Sequence, residues 1–64
     1  MKINTNMIKA TIAEKGMTQR ETAEKAGISQ PQFSTMLARG TATCKSAGRI
    51  AAALEVPVTV ILEP

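Results

Sequence analysis

The stretch Met17-Thr18-Gln19-Arg20-Glu21-Thr22-Ala23-Glu24-Lys25-Ala26-Gly27-Ile28-Ser29-Gln30-Pro31-Gln32 decides how the chain folds. Within it, Thr18-Gln19-Arg20-Glu21 is a capping box: the Thr18 hydroxyl can accept from the Glu21 amide while the Glu21 carboxylate reaches back to the Thr18 amide. The helix opened there, with Ala23 and Ala26 on its inner side, covers about residues 18–25 before Gly27 stops it. Ser29-Gln30-Pro31-Gln32 then repeats the start signal, with Ser29 as cap, Gln32 as reciprocal partner and Pro31 tolerated in the first turn. The two helix starts lie eleven residues apart, which leaves room only for an abrupt change of direction between two short helices.

Outward from this pair the pattern stays helical. In 29–38 the inward positions are Phe33, Met36 and Leu37, at i, i+3 and i+4, and the opposite face carries Gln30, Pro31, Ser34 and Thr35, small, polar and uncharged. Upstream, Ile8, Ile12 and Ala13 form the apolar stripe of a helix over 4–15, with charge at Lys9, Glu14 and Lys15 and Gly16 as its stop. Downstream, the loop Arg39-Gly40-Thr41-Ala42 leads to a helix over 44–54, capped by Thr43, with Ile50 and Leu54 inward. Ala47, Gly48, Ala51, Ala52 and Ala53 make that helix slim, and Gly48 is expected at a close helix–helix approach. The tail Val56-Pro57-Val58-Thr59-Val60-Ile61-Leu62 has the β-branching of a strand, but nothing else in the chain reads as a partner for one. A short helix over 58–62 is the expectation. The fold class is therefore all-α: a compact bundle of about five short helices, residues 1–64 forming one domain around Ile8, Ile12, Ile28, Phe33, Met36, Ile50 and Leu54.

Composition narrows the function. Of 64 residues 44% are apolar, and a chain this short buries only roughly 60% of its unfolded surface, so its core has little margin. The single cysteine, Cys44, can form no internal disulfide and has no resolving thiol, which makes it a small inert residue at a helix start. With no histidine, zinc-finger ligand sets and the commonest general base are both missing, and no nucleophile–base pair stands out. No enzyme activity, metal or cofactor is expected. The net charge of +3 and a pI near 9.5 favour an anionic partner. A lone aromatic, Phe33, gives no stacking platform for single strands, so if a nucleic acid is bound, duplex DNA is favoured. No run of 18 apolar residues occurs, and Met1-Lys2-Ile3-Asn4 lacks the apolar core of a signal peptide; a cytoplasmic setting and no membrane are expected.

The run from Met17 to Gln30 resembles the helix-turn-helix of lambda-repressor-like (Cro-type, XRE-like) DNA-binding domains, whose similar pattern is apolar-Thr-Gln-x-x-x-Ala-x-x-x-Gly-apolar-Ser. The likeness continues through Arg39-Gly40 and through Ile50-Ala51-Ala52-Ala53-Leu54-Glu55-Val56, so it covers most of the chain. Two positions depart from it. The segment from Phe33 to Gly40 is one residue longer than the commonest family pattern, and Thr22 stands where a large aliphatic is usual, which predicts weaker packing between the second and third helices.

The resemblance implies a sequence-specific double-stranded DNA-binding regulator of transcription, repressor-like, that lays helix 29–38 in the major groove. Base contacts then fall to Gln30, Pro31, Ser34 and Thr35: a Gln amide bonds adenine N6 and N7 together, Pro31 offers carbon to a thymine methyl, and the hydroxyls donate or accept. Phosphate contacts fall to Thr18, Gln19, Gln32, Arg39, Thr41, Thr43 and Lys45, with Lys2 and Lys9 as further cations and Gln19 bracing Gln30. One such helix reads too few base pairs for useful specificity, and Val58, Val60, Ile61 and Leu62 offer an apolar tail; a homodimer on a palindromic operator is expected. The alternative is a protein-interaction or antitoxin-like module on the same scaffold, since fold does not fix function.

Overall fold

Four of the five helices begin on a side-chain cap that the sequence supplies. In the computed structural model, which describes residues 1–63, α1 spans Thr5–Glu14, α2 Gln19–Ala26, α3 Gln30–Arg39, α4 Cys44–Ala53 and α5 Val58–Ile61. Asn4 Oδ1 accepts from the Met7 amide at 3.0 Å and Thr43 Oγ1 from the Ser46 amide at 3.1 Å. The capping box at Thr18 is complete, both of its bonds being 3.1 Å. At Ser29 only half of the expected box forms: the Ser29 hydroxyl accepts from the Gln32 amide at 3.3 Å, and the Gln32 side chain does not return the bond. Each helix falls within a residue or two of its expected span, the cap residue lying just outside it.

Three helices end in one way. After α1, α2 and α4 the chain turns left-handed at Gly16, Gly27 and Glu55, and two amides fold back onto the last turn. The pairs are Gly16 and Met17 onto the Ala13 and Ile12 carbonyls, Gly27 and Ile28 onto Glu24 and Ala23, and Glu55 and Val56 onto Ala52 and Ala51, all at 3.0–3.1 Å. This is the Schellman closure, and its second residue packs inward: Ile28 is buried, and Met17 and Val56 rest on the core. The end of α3 differs, since Gly40 alone returns an amide, to the Met36 carbonyl at 2.8 Å.

Expected core positions Ile8, Ile12, Ile28, Phe33, Ile50 and Leu54 are buried, whereas Met36 is only half-buried and packs against them. Thr22, which stands where a large aliphatic is expected, brings a hydroxyl into the interior. It is fully buried, and that hydroxyl donates to the Thr18 carbonyl at 3.0 Å, so no polar atom is left unpaired. α2 packs against α3 and α4, α4 against α5, and α1 against α2 and α5, in a body of 26 × 22 × 18 Å. Gly48 is not at a close approach: a Cβ there would meet nothing within 4 Å, so packing does not explain the glycine.

The expectation that nothing pairs as β needs correcting at the N-terminus. Residues Met1–Asn4 form an arm laid between the α3–α4 loop and the tail, with isolated bridges Lys2–Thr41 and Ile3–Leu62. Its backbone bonds run both ways: Ile3 N to Gly40 O at 3.0 Å and Ala42 N to Met1 O at 3.0 Å on one side, Asn4 N to Ile61 O at 2.7 Å and Glu63 N to Lys2 O at 3.2 Å on the other. Ile3 is consequently a core residue, 2% exposed. The tail also differs from its expected role. Ile61 is fully buried in the protomer's own core and Leu62 rests against it, so Ile61 has no surface to offer a partner; Val58 and Val60 remain 37% exposed. Among the described residues no helix is long and apolar enough to cross a membrane.

Candidate nucleic-acid interface

Helix α3 is held by one stripe and open on the other. Phe33 and Leu37 are buried, and Gln30, Pro31, Gln32, Ser34, Thr35, Ala38 and Arg39 are exposed. The four residues expected to touch bases therefore lie on one uncharged, solvent-facing surface of a helix whose other side is fastened to α2. Thr35 is more constrained than its residue type implies. Its hydroxyl donates to the Pro31 carbonyl at 2.9 Å, which spends the proton and leaves lone pairs and a methyl facing outward. As placed, Thr35 is an acceptor for an exocyclic amine or an apolar contact for a thymine methyl. Ser34 makes no hydrogen bond among the described residues and is free to donate or accept.

Beside this surface the C-terminal half of α3 and the loop to α4 border an open groove of about 400 Å³, lined by Gln32, Thr35, Met36, Arg39, Thr41, Thr43 and Ser46 together with Met1 and Ala42. It gathers four of the expected phosphate contacts, Gln32, Arg39, Thr41 and Thr43. Because the Ser29 box is half-formed, the Gln32 side-chain amide is not tied to its own helix start. A second groove of about 320 Å³ lies across Arg39 and Thr41, lined by Lys2, Asn4, Thr5, Asn6 and Glu63 as well. Arg39 and Thr41 thus border both grooves. Lys2 is not on the first helix but in the arm, bridged to Thr41, where its position beside the loop has no signal in the sequence periodicity.

The remaining candidates stand apart from these grooves. Thr18 and Gln19 sit at the start of α2, Thr18 exposed and Gln19 half-buried. Thr18's amide is occupied by the Glu21 carboxylate, which leaves the Gln19 and Arg20 amides as the open donors at that end. No hydrogen bond joins Gln19 to Gln30 among the described residues. Lys45, exposed in the first turn of α4, and Arg39 are free of carboxylates; the ion pair present among the described residues is Arg20 with Glu24, at 3.4 Å along α2. A charge asymmetry that the total conceals also emerges: from Lys25 to Leu54 the chain carries four basic residues and no acidic one. That segment contains α3, its loop and all of α4, and of its four cations Arg39 lines both grooves. Among the described residues no three His, Cys, Asp or Glu side chains gather where a metal ion could be held.

No model of a known protein family matches the chain, and no curated protein or solved structure is found similar to it.

Proposed function

We propose that the chain is a lambda-repressor-like regulator of transcription that binds double-stranded DNA by laying α3 in the major groove. The observation that carries this reading is the division of α3: Phe33 and Leu37 anchor it, while Gln30, Pro31, Ser34 and Thr35 face solvent without a charge among them. An uncharged hydrogen-bonding face discriminates bases, and the hydroxyl-rich groove beside it, with Arg39, Thr41 and Thr43 in its lining, suits the sugar–phosphate backbone, which supplies position rather than sequence; Lys45, exposed in the first turn of α4, adds a cation outside the groove. Gln32 within the groove, and Thr18 and Gln19 at the start of α2, are the further backbone contacts of this reading. Two copies on a palindrome would set their α3 helices about 34 Å apart, with Val58 and Val60 as the apolar tail residues left for pairing. The setting is a cytoplasm.

Selection of bound sites from random duplexes at about 150 mM salt tests this reading, the salt being fixed because phosphate contacts depend on it. Enrichment of one motif, palindromic if the protein binds as a dimer, is the expected result. On that motif Gln30→Ala with Thr35→Ala should weaken binding by about 2–4 kcal/mol while far-UV circular dichroism and Tm stay near those of the parent, since both side chains are exposed. No enrichment, or a double variant that binds as well as the parent, would instead favour the protein-interaction module.

A further inference from the structure

The end of α3 is the place where the local rules of this fold are broken. At α1, α2 and α4 two returning amides satisfy the last turn, but at α3 the Gly40 amide goes to Met36 and no backbone amide reaches the Leu37 carbonyl among the described residues. A carbonyl at a helix end is ordinarily left to water. Here the Thr5 hydroxyl donates to it at 2.9 Å, from a residue 32 positions earlier in the chain. Thr5 has no local use for that hydroxyl, because Asn4 already caps α1. The Ile3 amide adds a second bond, to the Gly40 carbonyl at 3.0 Å, so the arm and the first turn of α1 grip the end of α3 at two points.

We propose that Thr5 is a positioning residue for base reading, a step that rests on the DNA-binding role of α3 given above. Apolar burial of Phe33 and Leu37 is non-directional: it holds α3 down and fixes its rotation only loosely. A hydrogen bond is directional, with tolerance of a few tenths of an ångström and some tens of degrees. Placed on Leu37, between Thr35 and Arg39 in sequence, the Thr5 bond sets the angle at which a base-reading residue and a backbone-contacting residue meet the duplex. Thr5 itself lines the second groove and is half-buried, so its effect on bases runs through α3.

The test is the ratio of affinity for the selected site to affinity for random duplex, measured for the parent, Thr5→Val and Thr5→Ser well below each protein's Tm. Valine keeps the shape and loses the donor, and the ratio should fall about tenfold, the size of one hydrogen bond in a buried setting. Serine restores the donor, and the ratio should return to within about twofold of the parent. A purely structural role predicts otherwise: lower stability reduces the folded fraction and weakens both affinities together, leaving their ratio unchanged. A Thr5→Val ratio equal to the parent's overturns the proposal. If the valine variant does not fold, Thr5→Ala against Thr5→Ser makes the same comparison of hydroxyl absent and present. A parent that itself shows no preference for any site overturns the DNA-binding role, and the positioning role with it.

Discussion

Glu55 adopts φ of 57°, the left-handed region that a side chain with a Cβ enters at a cost of about 1–2 kcal/mol. The residue sits where Gly16 and Gly27 sit at the ends of α1 and α2, and its amide and that of Val56 make the same two returning bonds. The Schellman geometry is thus imposed by the bonds to Ala51 and Ala52 and by the seating of Val56 on the core, against the preference of the residue that must turn. Glycine removes the steric conflict and gives back part of the gain as unfolded-state entropy. Glu55→Gly should therefore raise stability by about 0.5–1 kcal/mol, read as an upward shift of about 2–6 °C in Tm, because in a domain this small one kcal/mol moves Tm by several degrees. A Tm that falls would mean that the carboxylate makes an interaction stronger than the strain. No turn residue marks this position in Leu54-Glu55-Val56, so the left-handed turn at Glu55 had no local signal in the sequence.

The elements themselves were legible wherever their signals were local. A cap and the residue three positions on fall within one turn, so Thr18, Ser29 and Thr43 announce α2 to α4 without reference to the rest of the chain, and α1 is announced by the Ile8–Ile12 stripe and Gly16. The arm carries no such signal. Its bridges fall at Lys2 and Ile3 alone, too few residues for an alternating pattern, and its partners lie in the 40s and 60s. Ile61 is the mirror of that omission: its side chain is buried where α5 packs on α1 and α4, and its carbonyl accepts from the Asn4 amide of the arm. The surface side of the site was legible for the same reason as the helices, since the two faces of α3 follow from 3.6-residue spacing. The grooves were not, because Lys2, Thr5 and Ser46 reach them only by tertiary placement. The arm's weight can be measured. Ile3 is 2% exposed, and Ile3→Ala should cost about 2–4 kcal/mol in urea unfolding, a large share of the roughly 3–10 kcal/mol expected for a chain of this length. A loss below about 0.5 kcal/mol would mean that the arm lies loosely on the loop and tail, and the grip on α3 would lose its anchor.

At the scale of the whole molecule, a chain with a single cysteine achieves closure by joining Met1–Asn4 to both the α3–α4 loop and the tail. That closure also brings Lys2 beside Arg39 and Thr41, adding a cation to the region where the chain from Lys25 to Leu54 is already free of acidic residues. Glu63 is the one carboxylate lining the second groove among the described residues, and it lies more than 4.0 Å from the Arg39 guanidinium, outside ion-pair distance. A guanidinium on the ridge between two grooves with no carboxylate in contact is disposed to neutralise a phosphate, and each phosphate neutralised releases counterions. With about three or four such contacts per subunit, log affinity should fall against log salt with a slope near −3 per subunit. Arg39→Gln should then reduce the slope by about 1 and weaken specific and random duplex alike, because phosphates carry no sequence. Gln30→Ala should do the reverse, lowering affinity for the selected site alone and leaving the slope in place. The two substitutions separate the two halves of the interface in one set of titrations between about 50 and 200 mM salt. A slope near zero in the parent would exclude phosphate binding, and an unchanged slope in Arg39→Gln would move the backbone contact away from the ridge, toward Lys45 and the first turn of α4.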